Sequence, residues 1–405
     1  MRLAPLPHEF EQAAPVLRRL SEAGYQAYFV GGAVRDALLH DHIHDVDIAT
    51  SAYPAEVKAL FHRTVDTGIQ HGTVTVLTEN GQYEVTTFRT ESTYQDYRRP
   101  DHVTFVRSLR EDLQRRDFTV NALAMDHTGQ ITDLFDGLGD LQRHVLRAVG
   151  QPEERFHEDA LRMMRAVRFQ SQLSFTIDPA TETAIAHHHD LLKKIAVERI
   201  NMEFVKMLAA RDRASGLATF IATRLNEACP GLAGTADQLR TMLSDVPMPL
   251  TASASVWLRL AAALQLDQAA VGPFMRAWKT TNEERRQVKG LLPTLQKVAA
   301  GTADAWDLYN AGPDFLTVLL PVAQQLGIAS APWQARYAAL PVHTVGELAV
   351  HGGTVMARFP QLQGPHIGAV LQAALRAVVA GRVANTEPAL LEYMAELPEI
   401  KDGQH

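Results

Sequence analysis

The chain has 405 residues, which at roughly 100–200 residues per domain predicts two to four domains rather than one core. A hydrophobic fraction of 46% excludes a disordered chain, and a net charge of −7 excludes a uniformly basic nucleic-acid binder, so any such partner needs a local basic patch. The single cysteine, Cys229, excludes an intramolecular disulfide and a multi-thiolate metal site, and the absence of an apolar signal or membrane segment leads us to expect a soluble, cytoplasmic protein.

Short β-rich segments separated by turns fill the first third of the chain. A predicted strand ends at Gly31-Gly32, and a short helix is expected to follow. Alternating apolar residues over 73–78 and 82–88 flank an Asn-Gly pair, which is a strong signal for a β-hairpin. We therefore expect this region to contain a mixed or antiparallel sheet with helices.

Beyond about residue 152, long Ala- and Leu-rich helical patterns replace the β signals. This change in pattern predicts a domain boundary, and later pairs of helix-breaking residues divide the helical part further. The expected architecture is an α+β head over 1–148, followed by an all-α neck over 149–215, a body over 216–320 and a tail over 321–405.

Two acidic residues follow the short helix that is predicted after Gly31-Gly32. On a strand, residues two apart point to the same face, so Asp45 and Asp47 would lie side by side while Val46 and Ile48 face the core. Two such carboxylates repel each other unless cations lie between them, and oxygen ligands suit Mg²⁺. The pattern predicts a two-metal site for nucleotidyl transfer. Glu84, on the predicted hairpin, either completes this site or faces solvent as an ordinary strand residue.

The Gly31-Gly32 pair precedes this acidic segment. Glycine lets the backbone approach a phosphate chain closely, the following helix N-terminus favours an anion, and Arg35 adds a fixed positive charge. Alone, the glycine pair is compatible with a plain turn, and the Asp-x-Asp pattern with a solvated loop. Their order along the chain favours a nucleotide-binding site.

The combination resembles the DNA polymerase β nucleotidyltransferase superfamily. Four further segments narrow the resemblance to class II tRNA nucleotidyltransferases, the CCA-adding enzymes of the Bacillus type, and their relatives the bacterial poly(A) polymerases. These segments are Arg115–Ala122, Asp133–Gly137 with Asp140, Leu141 and Arg147, Glu158–Phe169, and Glu198–Ile200 with Glu203 and Lys206.

The resemblance implies template-independent addition of CCA to the 3′ end of tRNA, using CTP and ATP and releasing pyrophosphate. It further implies base selection by the neck, tRNA binding by the tail, and a homodimer. A polar connection over 87–101 resembles the family's flexible loop, which supports the switch from C to A addition, although a surface loop without a role is the alternative. Two other functions stay open: a poly(A) polymerase that uses only ATP, and a catalytically silent RNA-binding protein.

Asp159 and Arg162 are expected on one face of a helix, because residues three apart are neighbours there. Cytosine and adenine both present an amino donor beside a ring-nitrogen acceptor, so a carboxylate beside a guanidinium pairs with either base. Uracil and guanine reverse that pattern, and each mispaired buried group costs roughly 1–3 kcal/mol. These two residues are therefore predicted to select C and A.

Arg165 and Arg168 continue the same spacing and, with Arg116, are expected to hold triphosphate or ribose oxygens. The alternative is an arginine-rich solvated helix paired with Glu154 and Glu158. The predicted metal ligands are Asp45 and Asp47, and the predicted nucleotide-binding residues are Gly32, Arg35, Arg116, Asp159, Arg162, Arg165 and Arg168.

Overall fold

The computed structural model describes residues 1–91, 94–95, 99–100, 103–362 and 364–401. The chain divides into two units, residues 1–243 and 244–405. The finer division into head, neck, body and tail stays a prediction.

The first unit contains the strands and about half of the helices. Its strands are β1 (Ala27–Val30), β2 (Asp47–Thr50), β3 (Thr64–Gly68), β4 (Thr73–Leu77), β5 (Gln82–Thr87), β6 (Arg89–Glu91), β7 (Tyr94–Gln95), β8 (Arg99–Pro100), β9 (Val103–Phe105), β10 (Leu123–Met125), β11 (Ile131–Asp133), β12 (Val145–Leu146) and β13 (Thr176–Ile177). Its helices are α1 (His8–Glu22), α2 (Gly32–Leu38), α3 (Pro54–Leu60), α4 (Leu109–Gln114), α5 (Gly137–Arg143), α6 (Pro152–Glu158), α7 (Leu161–Leu173), α8 (Pro179–His188), α9 (Val197–Ala209), α10 (Arg213–Ala222) and α11 (Ala236–Arg240).

A mixed sheet of seven strands, counted over the described residues, organises the N-terminal half of this unit. Its order is β11-β10-β1-β2-β5-β4-β3, and only the β2–β5 pair is parallel. The expected hairpin is confirmed: β4 and β5 pair from Thr73↔Thr86 to Leu77↔Gln82. Because β2 and β5 are neighbouring parallel strands, the residues at their N-terminal ends lie close together.

Helix α1 covers the sheet through an apolar stripe at helical spacing. Phe10, Leu17 and Leu20 of this stripe are fully buried, and the Phe10 ring lies 4.8 Å from the Phe29 ring on β1. The burial of these large side chains fixes β1, and with it the turn that follows β1, against the rest of the sheet.

After the sheet the chain is helical, and α7 packs against both α9 and α10. Gly216 permits the close approach of α10, because a Cβ there would collide with the Val167 carbonyl and the Ser171 hydroxyl of α7. This packing buries most of α7, including Met163, Val167, Arg162 and Arg168.

The second unit is formed by helices. They are α12 (Ser253–Ala263), α13 (Gln268–Ala277), α14 (Asn282–Ala299), α15 (Ala305–Ala311), α16 (Leu320–Gln325), α17 (Ser330–Ala338), α18 (Gly352–Arg358), α19 (Pro365–Val379), α20 (Glu387–Ala395) and α21 (Pro398–Lys401). Trp257 and Trp278 are buried between α12, α13 and α14, with ring centroids 5.3 Å apart. The predicted order, an α+β region and then helices, is confirmed. None of the helices in the described ranges combines the length and apolar character needed to cross a membrane.

Candidate active site

The glycine pair forms the turn between β1 and α2. Gly31 has φ +72° and ψ −140°, a backbone conformation that is essentially restricted to glycine. A Cβ on Gly31 would lie 3.2 Å from Nη1 of Arg116, and one on Gly32 would lie 3.4 Å from Nη2 of Arg35. The turn therefore leaves just enough room for two guanidinium groups beside the backbone.

Arg35 is buried and held in place from three sides. Its Nη1 donates to Oδ1 of Asn121 at 2.5 Å, its Nε donates to Asp36 at 2.8 Å, and its guanidinium lies 5.0 Å from the Phe169 ring. A guanidinium with so many fixed partners is a positive charge of defined position, and the predicted contact of Arg35 with a phosphate stays a prediction.

Asp47 is the first residue of β2, and Asp45 precedes the strand. The expectation that both lie on one strand was wrong, because β2 begins only at Asp47. On one side β1 ends at Val30, whose partner is Asp47, and on the other side the pairing with β5 begins at Ile48↔Val85. Ile48 is buried as expected, whereas Val46 is only half-buried. Asp45 and Asp47 nevertheless line the same cavity of about 580 Å³, which we call the acidic cavity.

Glu84 also lines the acidic cavity. The parallel pair Ile48↔Val85 places Asp47 and Glu84 at the same level and on the same face of neighbouring strands. Desolvation by the surrounding protein raises the pKa of the Asp47 carboxyl, although the residue keeps contact with solvent. The negative charges of Glu84 and Asp45 raise this pKa further, whereas the positive charge of Arg116 lowers it. The site thus concentrates negative charge that a cation would relieve.

No three His, Cys, Asp or Glu side chains in the described part of the chain form a complete metal-binding cluster. Two carboxylates still fit Mg²⁺, which is commonly held by one or two carboxylates together with substrate phosphates and water. Asp45 and Asp47 are the residues that fit this role.

Asp47 also lines a second cavity, of about 460 Å³. We call it the basic cavity, since seven arginines contribute to its lining against three aspartates. All of the predicted nucleotide-binding residues lie there. Its charged residues are Arg35, Asp47, Arg115, Arg116, Asp117, Asp159, Arg162, Arg165, Arg168 and Arg199.

Asp159 and Arg162 do not share a continuous helix, contrary to the expectation. Helix α6 ends before Asp159, which is extended at φ −140°, and α7 begins at Leu161. The break forms because the Asp159 carboxylate accepts a hydrogen bond from the Leu161 N–H at 3.0 Å, as aspartate commonly does at a helix start. The Arg162 N–H still donates to the Asp159 carbonyl at 3.0 Å, so both side chains reach the basic cavity.

Both residues already have protein partners. Asp159 pairs with Arg199 of α9 at 2.7 Å. Arg162 is buried and donates to the Glu158 carboxylate at 2.5 Å and to the Arg115 carbonyl at 2.7 Å. A base entering between them would therefore compete with these contacts.

Arg165 and Arg168 are anchored by acids that the sequence analysis did not assign. Arg165 donates to Asp117 at 2.7 Å, and Arg168 lies 2.6 Å from Glu203 of α9. Arg168 is buried, and burial lowers the pKa of its guanidinium to about 10, so that it stays charged at neutral pH. The alternative of a solvated arginine helix is wrong for α7, although Glu158 does pair with Arg162 as that alternative supposed.

Asp117 is the most enclosed acid of the basic cavity. Its oxygens accept hydrogen bonds from Arg165, from Asn121 at 3.0 Å and from the Phe118 N–H at 2.8 Å. Burial alone would raise the pKa of the Asp117 carboxyl, but Arg165 and the hydrogen bonds hold it well below its usual range. Asp117, Asn121, Arg199 and Glu203 lie in segments that the sequence analysis matched, yet nothing in their spacing indicated a role.

The polar connection over 87–101 is described only in part. Strands β6 and β9 pair from Arg89↔Phe105 to Glu91↔Val103, and β7 pairs with β8. Residues 92–93, 96–98 and 101–102 lie outside the described residues, so the expected flexible loop remains untested.

Three family models match consecutive parts of the chain. The poly(A) polymerase head domain matches residues 27–147, a probable RNA and SrmB-binding site of polymerase A matches 174–234, and a putative second domain of tRNA nucleotidyltransferases matches 248–394. The first of these contains the whole sheet with the glycine turn and both aspartates.

Individual proteins match over the full length. The CCA-adding enzyme of Limosilactobacillus reuteri (strain DSM 20016) is 51% identical over 405 residues, 100% of both chains. That of Lactobacillus delbrueckii subsp. bulgaricus (strain ATCC 11842) is 51% identical over 388 residues, 95% of this chain and 98% of the other. The crystal structure of the Bacillus stearothermophilus CCA-adding enzyme in complex with CTP aligns with a TM-score of 0.88 and 41% identity, covering 99% of this chain and 100% of that one.

Proposed function

The chain belongs to the family of CCA-adding enzymes and is a nucleotidyltransferase that adds CCA to tRNA; we propose that it takes the nucleotides from CTP and ATP, uses Mg²⁺ at Asp45 and Asp47, and releases pyrophosphate. The observation that carries this proposal is the position of Asp47. It lies between an acidic cavity suited to cations and a basic cavity suited to a nucleoside triphosphate.

The triphosphate is assigned to the basic cavity. Gly32 and Arg35 border it beside the glycine turn, and Arg116, Arg165 and Arg168 supply further guanidinium groups. A planar guanidinium suits phosphate oxygens, because it can donate two parallel hydrogen bonds. The buried partners of Arg165 and Arg168 hold these two guanidinium groups in place before the substrate binds. Positive charges fixed in this way stabilise the negative charge that develops on the leaving phosphates.

The base is assigned to Asp159 and Arg162. Asp159 would accept a hydrogen bond from the exocyclic amino group of cytosine or adenine, and Arg162 would donate to the adjacent ring nitrogen. Uracil and guanine place a carbonyl oxygen opposite the carboxylate and a ring N–H opposite the guanidinium. Each such mismatch costs about 1–3 kcal/mol, and two together exclude these bases strongly.

The reaction joins the tRNA 3′-oxygen to the α-phosphorus of the nucleotide, while the bond from that phosphorus to the bridging oxygen breaks and pyrophosphate leaves. Divalent cations bound at Asp45 and Asp47 would lower the pKa of the 3′-hydroxyl and neutralise the pyrophosphate. The protein's part is to hold the tRNA 3′-hydroxyl and the α-phosphate of the nucleotide beside Asp47.

Further parts of the proposal concern the rest of the chain. We place catalysis in residues 1–148, base selection in 149–215, a connecting body in 216–320 and tRNA binding in 321–405. We expect a homodimer and a cytoplasmic location.

The test uses tRNA that lacks its CCA end, incubated with CTP alone, ATP alone or both, with products separated at single-nucleotide resolution. We expect two added residues with CTP, three with both nucleotides, and no further extension. Long adenosine tails on general RNA would instead indicate a poly(A) polymerase. Failure to incorporate any nucleotide in the presence of Mg²⁺ would indicate a silent RNA-binding protein.

A further inference from the structure

A third cavity, of about 480 Å³, lies within the first unit and shares a wall with the basic cavity. The shared wall consists of Arg35, Arg168 and Phe169. The two guanidinium groups lie 5.0 Å and 3.8 Å from the centre of the Phe169 ring, which gives both a favourable contact despite their like charges. Two of the arginines assigned to the triphosphate, Arg35 and Arg168, therefore line both cavities.

The far side of this cavity carries unused positive charge. Lys206 and Arg211 line it, both are exposed, and neither side chain has an ion-pair or hydrogen-bond partner in the part of the chain that the structure describes. Of the two acids in the lining, Asp36 is already paired with Arg35 at 2.7 Å and Asp41 accepts a hydrogen bond from the His42 N–H. Without a ligand, the cavity thus has an excess of cations.

One face of α9 connects this charge to the site already described. Arg199, Glu203 and Lys206 are spaced four and three residues apart, so they lie along one side of the helix. Arg199 pairs with Asp159 and Glu203 with Arg168, whereas Lys206 faces the third cavity. The same helix face therefore extends from the base position, past the triphosphate arginines, to an unneutralised cation.

We propose that Lys206 and Arg211 form a release site for pyrophosphate, which receives the product from Arg35 and Arg168 after each nucleotide is added. This inference rests on the proposed function. The acidic cavity offers the leaving pyrophosphate no cationic side chain, because its lining contains Asp45, Asp47 and Glu84 and no lysine or arginine. The third cavity is of small-ligand size, is positively charged and adjoins the triphosphate arginines, which favours a small phosphate anion as its occupant.

The reverse reaction measures pyrophosphate binding directly. In that direction a pyrophosphate oxygen attacks the phosphorus of the terminal nucleotide, the bond to the preceding ribose 3′-oxygen breaks, that oxygen takes up a proton, and CTP or ATP is regenerated. The test variant is Lys206→Ala with Arg211→Ala. The matched control is Arg18→Ala with Arg110→Ala, which removes two exposed cations that lie outside the linings of the three cavities.

We expect the KM for pyrophosphate to rise by about tenfold in the test variant, the effect of losing two modest ionic contacts, while the KM values for tRNA and CTP change less than about twofold. The control variant should match the wild type. An unchanged KM for pyrophosphate would overturn the proposal, and so would a rise confined to the KM for tRNA, which would identify a contact with an RNA backbone phosphate.

Calorimetric titration of the enzyme with pyrophosphate and Mg²⁺, without tRNA, separates this inference from the proposed function. If the wild type binds pyrophosphate about tenfold more tightly than the test variant but adds no nucleotide, the site stands and the proposed function fails. Equal binding by the two proteins, with normal CCA addition, would remove the release site and leave the proposed function intact.

Discussion

Replacement of Asp117 by asparagine tests whether the acids beneath the arginines hold the active-site region together. Asp117 accepts two contacts from Arg165, at 2.7 and 2.6 Å, through one oxygen, and hydrogen bonds from Asn121 and the Phe118 N–H through the other. An asparagine side chain has one oxygen and one NH₂ group. In either orientation it leaves a donor facing a donor, and it removes the charge opposite Arg165.

The size of the effect follows from burial. Removing one partner of a fully buried ion pair costs about 3–5 kcal/mol. The Asp117 side chain is 8% exposed but that of Arg165 is 34% exposed, so the arginine recovers some hydration and we expect about 2–4 kcal/mol. Asp136→Asn is the matched control, because Asp136 is 67% exposed in its ion pair with Arg143 and should cost less than about 1 kcal/mol.

The assay must report on the first unit alone. All four tryptophans, at positions 257, 278, 306 and 333, lie in the second unit, so tryptophan fluorescence does not measure the change. Hydrogen exchange of peptides from β1 and α7 measures the stability of the first unit. Because about 1.4 kcal/mol corresponds to a tenfold change, a loss of about 2–4 kcal/mol predicts exchange roughly 30- to 1,000-fold faster. If these peptides exchange at the same rate in the Asp117→Asn and Asp136→Asn variants, the buried network does not stabilise the unit.

The same variant has a pH signature. The pKa of the folded Asp117 carboxyl lies below that of an unfolded aspartate, about 4, so its contribution to stability is complete above that pH and is lost as the pH falls toward the folded pKa. Protection factors of the wild type should therefore decline more steeply below about pH 4 than those of Asp117→Asn. Parallel declines would show that another carboxylate dominates acid unfolding.

Four further substitutions probe the site. Asp45→Asn and Asp47→Asn should each abolish nucleotide incorporation while thermal unfolding stays within about 1 kcal/mol of the wild type, because both residues are exposed; retained turnover would refute the metal assignment. Gly31→Ala should cost about 1–3 kcal/mol in urea unfolding because φ is +72° there, and an unchanged midpoint would contradict this. Arg199→Ala should leave Asp159 less fixed and raise misincorporation of UTP relative to CTP in single-turnover assays, whereas unchanged selectivity would show that the pair is only structural.

Local patterns sufficed for the hairpin of β4 and β5 and for the glycine turn. The hairpin was predictable because alternation over β4 and β5 and an Asn-Gly pair between them reflect contacts within about ten residues. The position of Asp45 was not, since it depends on where β1 stops pairing, and Val30↔Asp47 is the last pair on that side. The end of a strand depends on where the neighbouring strand stops pairing, and the sequence of the strand itself does not contain this information.

The start of α7 shows a second limit. The spacing of Arg162, Arg165 and Arg168 extends back to Asp159 without interruption, so periodicity alone favours one helix. The observed break depends on a hydrogen bond from the Leu161 N–H to the Asp159 carboxylate, for which aspartate is a suitable but not a sufficient signal. The partners of these side chains are also distant in sequence, as Arg199 follows Asp159 by 40 residues.

These internal partners affect how a base can be selected. Asp159 already pairs with Arg199, and Arg162 with Glu158. If these two residues select the base, as we propose, a correct base would exchange one set of contacts for another and gain little net free energy. A wrong base loses the internal contacts and restores none of them. On this proposal, discrimination would arise chiefly from the penalty on uracil and guanine, and one pair of residues would accept both cytosine and adenine without binding either base tightly.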